Sequence, residues 1–130
     1  MNTKAIHNIL ERSQAGEMTF PQVVGALLQE GVESYFIDLW SGTDTVYARN
    51  SETFSDKMSV PRAVVAEEFS QTGLLAAIRG AQADTIRYPE FVRQAMAAGT
   101  TAYWAFLTGR RVVYFGRKGE MHVEEFPGSR

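Results

Sequence analysis

A chain of 130 residues, 45% hydrophobic and 22% charged, is long enough for one packed core and lies outside the compositions that stay disordered. Its net charge of −2, slightly acidic in the first half and slightly basic in the second, makes no overall demand for nucleic acid or an anionic lipid surface. The absence of cysteine excludes disulfides, thiolate metal sites and cysteine nucleophiles, and accords with a reducing cytosol.

The opening run MNTKAIHNILERSQ lacks the basic-then-apolar pattern of a secretory signal, and no apolar run approaches the length of a membrane span. A soluble cytoplasmic protein is therefore the expectation. Asn2 or Thr3 offers a helix cap, followed by Ile6, Ile9 and Leu10 at helical spacing and Gly16 beyond the last turn. Thr19 caps a second helix with Pro21 in its first turn; Val23, Val24, Leu27 and Leu28 form its apolar face, and Gly31 closes it.

From 33 to 40 the period changes to two. Tyr35, Ile37 and Leu39 point one way, and Phe36, Asp38 and Trp40 the other. A turn over 41–44 leads to a strand over 45–49; a polar turn over 50–52 leads to a third, weaker strand over 53–58. Pro61 marks a linker. Ser70 then caps a helix carrying Leu74, Leu75 and Ile78, and Tyr88-Pro89 starts another with Phe91, Val92, Ala95 and Met96, ending at Gly99. Tyr103, Ala105 and Leu107 alternate with Trp104 and Phe106 in the next strand. Turns at Thr108-Gly109 and Lys118-Gly119 then bound strands over 111–115 and 121–126, and the chain ends in a frayed tail after Pro127.

Sliding the chain on itself by 68 positions aligns Gln14, Ala15, Pro21, Val24, Gly31, Tyr35 and Leu39 with Gln82, Ala83, Pro89, Val92, Gly99, Tyr103 and Leu107. These seven identities fall within 26 positions. Chance supplies about one or two at ordinary composition. Removing one residue at the first turn then aligns Gly42, Val46 and Tyr47 with Gly109, Val113 and Tyr114. The reading is a single α+β domain over 1–130, built from two helix–helix–three-strand repeats at roughly 2–60 and 69–127 with a linker over 59–68. The repeats are related by a pseudo-twofold, with antiparallel strands and helices on the Tyr/Leu face. This arrangement is compatible with one sheet or with two.

The runs TFPQVVGALLQEGVESY over 19–35 and RRVVYFGRKGEMHVEEFP over 110–127 resemble the YbcV/YdfO-like proteins. These are small bacterial and prophage-associated proteins of a domain-of-unknown-function family, sometimes labelled phage envelope protein. The resemblance covers nearly the whole chain and implies an α+β fold. It implies no activity and no catalytic residues.

The two histidines, His7 and His122, are not at metal-binding spacing, and no P-loop, GxGxxG or GxSxG occurs, so no cofactor or metal is expected and no catalytic residue is assigned. Asp38 stands mid-strand between aromatic neighbours, where an unpaired acid is costly, which makes it either water-exposed or an acid lining a pocket. The basic hairpin of Arg110, Arg111, Arg117 and Lys118, with aromatics between, offers a grip on single-stranded nucleic acid. The acids that follow it favour a solvated hairpin instead. Phe36, Trp40, Trp104, Phe106 and Tyr114 need cover of their own once the helices take the Tyr/Leu face. Either the two repeats pack these faces together, or the face is a homodimer or partner interface, or it is an apolar pocket that Asp38 and His122 help to line.

Overall fold

Side chains that cap helix ends set where three of the four described helices start. In the computed structural model, which describes residues 1–60 and 63–127, helix α1 (Thr3–Gln14) opens on Asn2, whose side chain accepts from the Ala5 N–H at 3.0 Å. Helix α2 (Phe20–Gln29) opens on a reciprocal cap. Thr19 accepts from the Gln22 N–H, and the Gln22 side chain accepts from the Thr19 N–H. Ser70 caps α3 (Gln71–Gln82), accepting from the Gly73 N–H. Arg87 precedes α4 (Tyr88–Ala97) without a side-chain cap, so that helix relies on Pro89 in its first turn.

The strands are β1 (Val32–Asp38), β2 (Thr43–Ala48), β3 (Thr53–Lys57), β4 (Thr100–Phe106), β5 (Arg111–Gly116) and β6 (Met121–Glu125). Every bound in the second half lies 68 residues above its counterpart in the first, and the helix–strand pattern is consistent with the repeated unit. The halves join in one antiparallel sheet of order β3-β2-β1-β4-β5-β6. At the seam Phe36 faces Trp104, its own counterpart 68 residues on. The flanking pairs Tyr35–Ala105 and Ile37–Tyr103 exchange under the same shift. A pseudo-twofold axis therefore passes between Phe36 and Trp104.

The helices lie on the face of Tyr35, Ile37, Leu39, Tyr103, Ala105 and Leu107, as the strand periodicity requires. These residues form one core with Ile6, Leu10, Val23, Leu27, Leu74, Ile78, Phe91 and Val92. Three expectations are corrected. The one-residue removal at the first turn is not needed, because β2 and β5 keep the 68-residue offset. Arg110, with φ 58°, takes the left-handed backbone position that Gly42 holds at φ 73°. Val46 thus corresponds to Tyr114, each paired with a strand tyrosine (Tyr35 and Tyr103), rather than to Val113. Second, β2 begins at Thr43, which draws Thr43 and Asp44 out of the expected turn and into the sheet. Third, the 59–68 segment is not a bare linker: Val60 and Val65 are buried in the core, and the Ala66 N–H reaches the Met96 carbonyl at 2.9 Å. Pro61 and the tail beyond Pro127 lie outside the described residues.

The equivalent glycines 31 and 99 end α2 and α4 at φ 81° and 87°. Around Gly31 a Cβ has open space, whereas at Gly99 it collides with the backbone of Glu68 and Phe69. Gly31→Ala is expected to cost about 1 kcal/mol for the positive φ alone, and Gly99→Ala about 3 kcal/mol or more. Urea denaturation of the two variants checks the difference.

Candidate functional site

Side chains alternate across a sheet, so the residues between the core positions line the face without helices. Successive strands present Thr53, Ser55 and Lys57 on β3, then Tyr47, Thr45 and Thr43 on β2, then Ser34, Phe36 and Asp38 on β1. Across the seam come Phe106, Trp104 and Ala102 on β4, Arg111, Val113 and Phe115 on β5, and Glu125, Val123 and Met121 on β6. The two halves differ in character. The first is hydroxyl-rich, with Thr45 and Ser55 hydrogen-bonded across strands at 2.9 Å. The second is apolar out to the sheet edge, where Met121 is 59% and Val123 45% exposed.

Aromatic rings hold the middle. Phe36 meets Trp104 edge-on at 5.3 Å; Phe106 stacks on Trp104 at 5.2 Å; Tyr47 lies against Trp104 at 5.5 Å. The indole N–H of Trp104 donates to the Ser34 hydroxyl across the seam at 3.2 Å, which fixes the ring plane. Beside these rings runs an open groove of about 740 Å³, with Glu33, Ser34, Tyr47, Trp104, Phe106 and Arg111 among its walls.

The remaining sequence candidates do not all gather here. The two repeats lie side by side in one sheet, so their aromatic faces do not pack against each other. Tyr114 is on the opposite, helix-covered face, buried against Phe91 and Tyr103, because it pairs with Tyr103 rather than with Trp104. His122 pairs with Tyr114 and shares that face, held by Gln71 at 3.0 Å and Glu124 at 3.2 Å. Asp38, on the open face three strands away, cannot line a pocket with it. The Asp38 carboxylate instead accepts from the N–H groups of Trp40 and Ser41 at 2.9 and 3.2 Å, closing the β1–β2 turn. Trp40 sits in that turn under the Arg117 guanidinium, 4.9 Å from its ring centre.

The basic hairpin is also divided. Arg110 and Arg111 stand at the β4–β5 turn, with Arg110 over the Phe126 ring, whereas Arg117 and Lys118 stand at the far end of β5. Lys118 pairs with Glu68 at 3.3 Å. A six-residue strand separates the two pairs, about 20 Å at ordinary rise. They do not form one phosphate-binding patch.

A second polar locus was hidden by its expected place in a turn. Asp44 pairs with Ile37 in the sheet, which turns its side chain into the core, where it is 2% exposed. Among the described residues its Oδ1 has no hydrogen-bond partner. Burial first, and the Asp56 carboxylate second, push its pKa from 3.8 up to about 8. Tyr88 and Tyr103 lie close by, their hydroxyls 2.6 Å apart, and burial drives both phenols above their ordinary range. On the outer side of β3, Asp56 engages His7, which also meets Glu11 at 2.9 Å; the Asp56 hydrogen bond and charge raise the His7 pKa.

Among the described residues no three His, Asp or Glu stand close enough to hold a metal ion, and no helix is long and apolar enough to cross a membrane. Ser34→Ala removes the partner of the Trp104 indole and is expected to cost about 1 kcal/mol, with a changed tryptophan emission, read by urea titration followed by fluorescence.

No curated protein matches the chain. A family model described as a protein of unknown function (DUF1398) matches residues 15–125, a span from the end of α1 to the end of β6 that takes in the whole sheet and the central ring cluster. The chain belongs to this family of unknown function, DUF1398.

Proposed function

We propose that the protein is a non-catalytic association protein whose open sheet face binds a second copy of the same chain. Within its family we place it with the YbcV/YdfO-like proteins of prophage association and in a cytoplasmic setting. The observation that carries the reading is the uncovered apolar half of the sheet, from Phe36 and Trp104 through Val113 and Phe115 to Met121 and Val123. The corresponding positions of the first half are threonine, serine and tyrosine on β2 and β3, so the fold itself does not call for apolar side chains there.

Charge and area favour a second copy as the occupant. The face carries Lys57 and Arg111 against Asp38 and Glu125, a balanced set that does not repel itself. That balance also disfavours a polyphosphate partner. Six strands about 4.8 Å apart, three outward residues deep, present roughly 600 Å², and two such faces bury about 1,200 Å², the lower end for a specific complex. Sedimentation velocity at micromolar concentration is expected to show a dimer. Val123→Lys and Trp104→Ala are expected to weaken it about tenfold or more, and a wild-type chain that stays monomeric removes the reading.

The groove beside Tyr47, Trp104 and Phe106 supports a second reading, a site for a planar anionic molecule stacked on the rings with its charge toward Arg111. Saturable quenching of tryptophan fluorescence by an aromatic carboxylate, weakened about tenfold in Arg111→Gln, is the expected result. Equal affinity in the variant argues against it.

A further inference from the structure

Beneath the helices, on the side of the sheet away from the aromatic face, lies a small cavity of about 20 Å³ bounded by Asp44, Tyr35, Tyr88, Tyr103, Gln14 and Ser13 with apolar neighbours. A space above about 10–15 Å³ takes one water molecule, provided the walls offer polar partners. These walls do. Asp44 brings a buried acceptor, Oδ1, with no partner among the described residues. In the Tyr88–Tyr103 pair one hydroxyl proton is used between the two rings and the other remains to be donated. The Gln14 carbonyl oxygen is already taken by the Ser59 N–H and hydroxyl at 2.8 and 3.1 Å.

We propose that this cavity is a binding site for a single buried water molecule, which accepts from a tyrosine hydroxyl and donates to Oδ1 of Asp44. Donor and acceptor count selects water over a monovalent cation. A cation would orient the phenol oxygens inward and leave their protons, with that of the neutral Asp44 carboxyl, without acceptors, whereas water both accepts from such donors and donates to the orphan acceptor. The site is built rather than forced by the fold, since the position equivalent to Asp44 in the second half is Val112, buried without any polar partner. Its walls come from α1, α2, α4, β1, β2 and β4, so the water ties the helix layer to both halves of the sheet.

Proton linkage follows from the same geometry. The ionisable groups facing Asp44 are Tyr35, Tyr88 and Tyr103, with Asp56 beside it on β3. None supplies positive charge, and His7 is engaged by Asp56 and Glu11 at the surface. The folded state therefore keeps Asp44 neutral. Below about pH 4 the carboxyl is neutral whether the chain is folded or not. From there to about pH 8 only the unfolded chain releases the proton, so stability falls as pH rises, and it levels off above.

Water-oxygen magnetic relaxation dispersion on the full chain, with urea titrations across pH, tests the site. Wild type and Asp44→Asn are expected to hold one more long-lived water than Asp44→Val. The folding equilibrium constant of wild type relative to Asp44→Asn is expected to fall up to tenfold per pH unit between about pH 4 and pH 8. Equal dispersion in Asp44→Val, or no pH-dependent difference from Asp44→Asn, overturns the proposal. Should Asp44→Val fail to fold, a crystal structure of the unmodified chain decides. Density for a water between Asp44 Oδ1 and a tyrosine hydroxyl supports the site; a dry cavity, or Asp44 turned to a protein donor, overturns it.

Discussion

Antiparallel pairing of β1 with β4 is the constraint on which the rest of this structure depends. Each half has only three strands and two helices, too little to enclose a core of its own. Joined at Phe36 and Trp104, the halves make one six-stranded sheet whose helix-covered face is continuous across the seam. Elements from the two halves then seal a common interior. Tyr88 of α4 and Leu10 of α1 line one cavity with Tyr35 and Tyr103, one strand tyrosine from each half. The same pairing leaves the aromatic rings together at the centre of the other face, where no element of the described chain covers them.

One backbone plan carries two different sets of side chains. Register and turn lengths are shared between the halves, so a position on one has a structural twin on the other, and a twin of unlike chemistry shows what the fold does not require. Thr45 against Val113, Ser55 against Val123 and Asp38 against Phe106 make one half of the open face polar and the other apolar. Asp44 against Val112 places a carboxyl in the core at a position where valine also fits. These departures from symmetry are differences that the shared backbone does not require. They fall on the open face and in the polar cavity.

Much of the fold was legible because its signals are local. Caps at Asn2, Thr19 and Ser70 bond to residues three positions on, and the strand period sorts Tyr35 from Phe36 without knowledge of any partner. The candidate site was legible only in part, since it depends on register. An expected one-residue gap at the first turn set Tyr114 opposite the wrong counterpart, and a turn drawn two residues too long kept Asp44 out of the sheet. In a strand, one residue of error exchanges core for surface, so the buried acid and the face of Tyr114 were both misplaced. Charge proximity failed for a related reason. Arg111 and Arg117 are six apart in sequence but lie at opposite ends of a strand.

By itself the sequence determined the elements, their order, the 68-residue recurrence and the core face of each central strand, because capping, proline placement and side-chain periodicity act within a few residues. Tertiary structure decided that both halves share a single sheet, that Trp104 meets Phe36 on an uncovered face, and that Asp44 faces three tyrosines in the interior. Those arrangements depend on which strand edge pairs with which and in what register. That choice is made by contacts between residues 64 to 72 apart, not by neighbours along the chain.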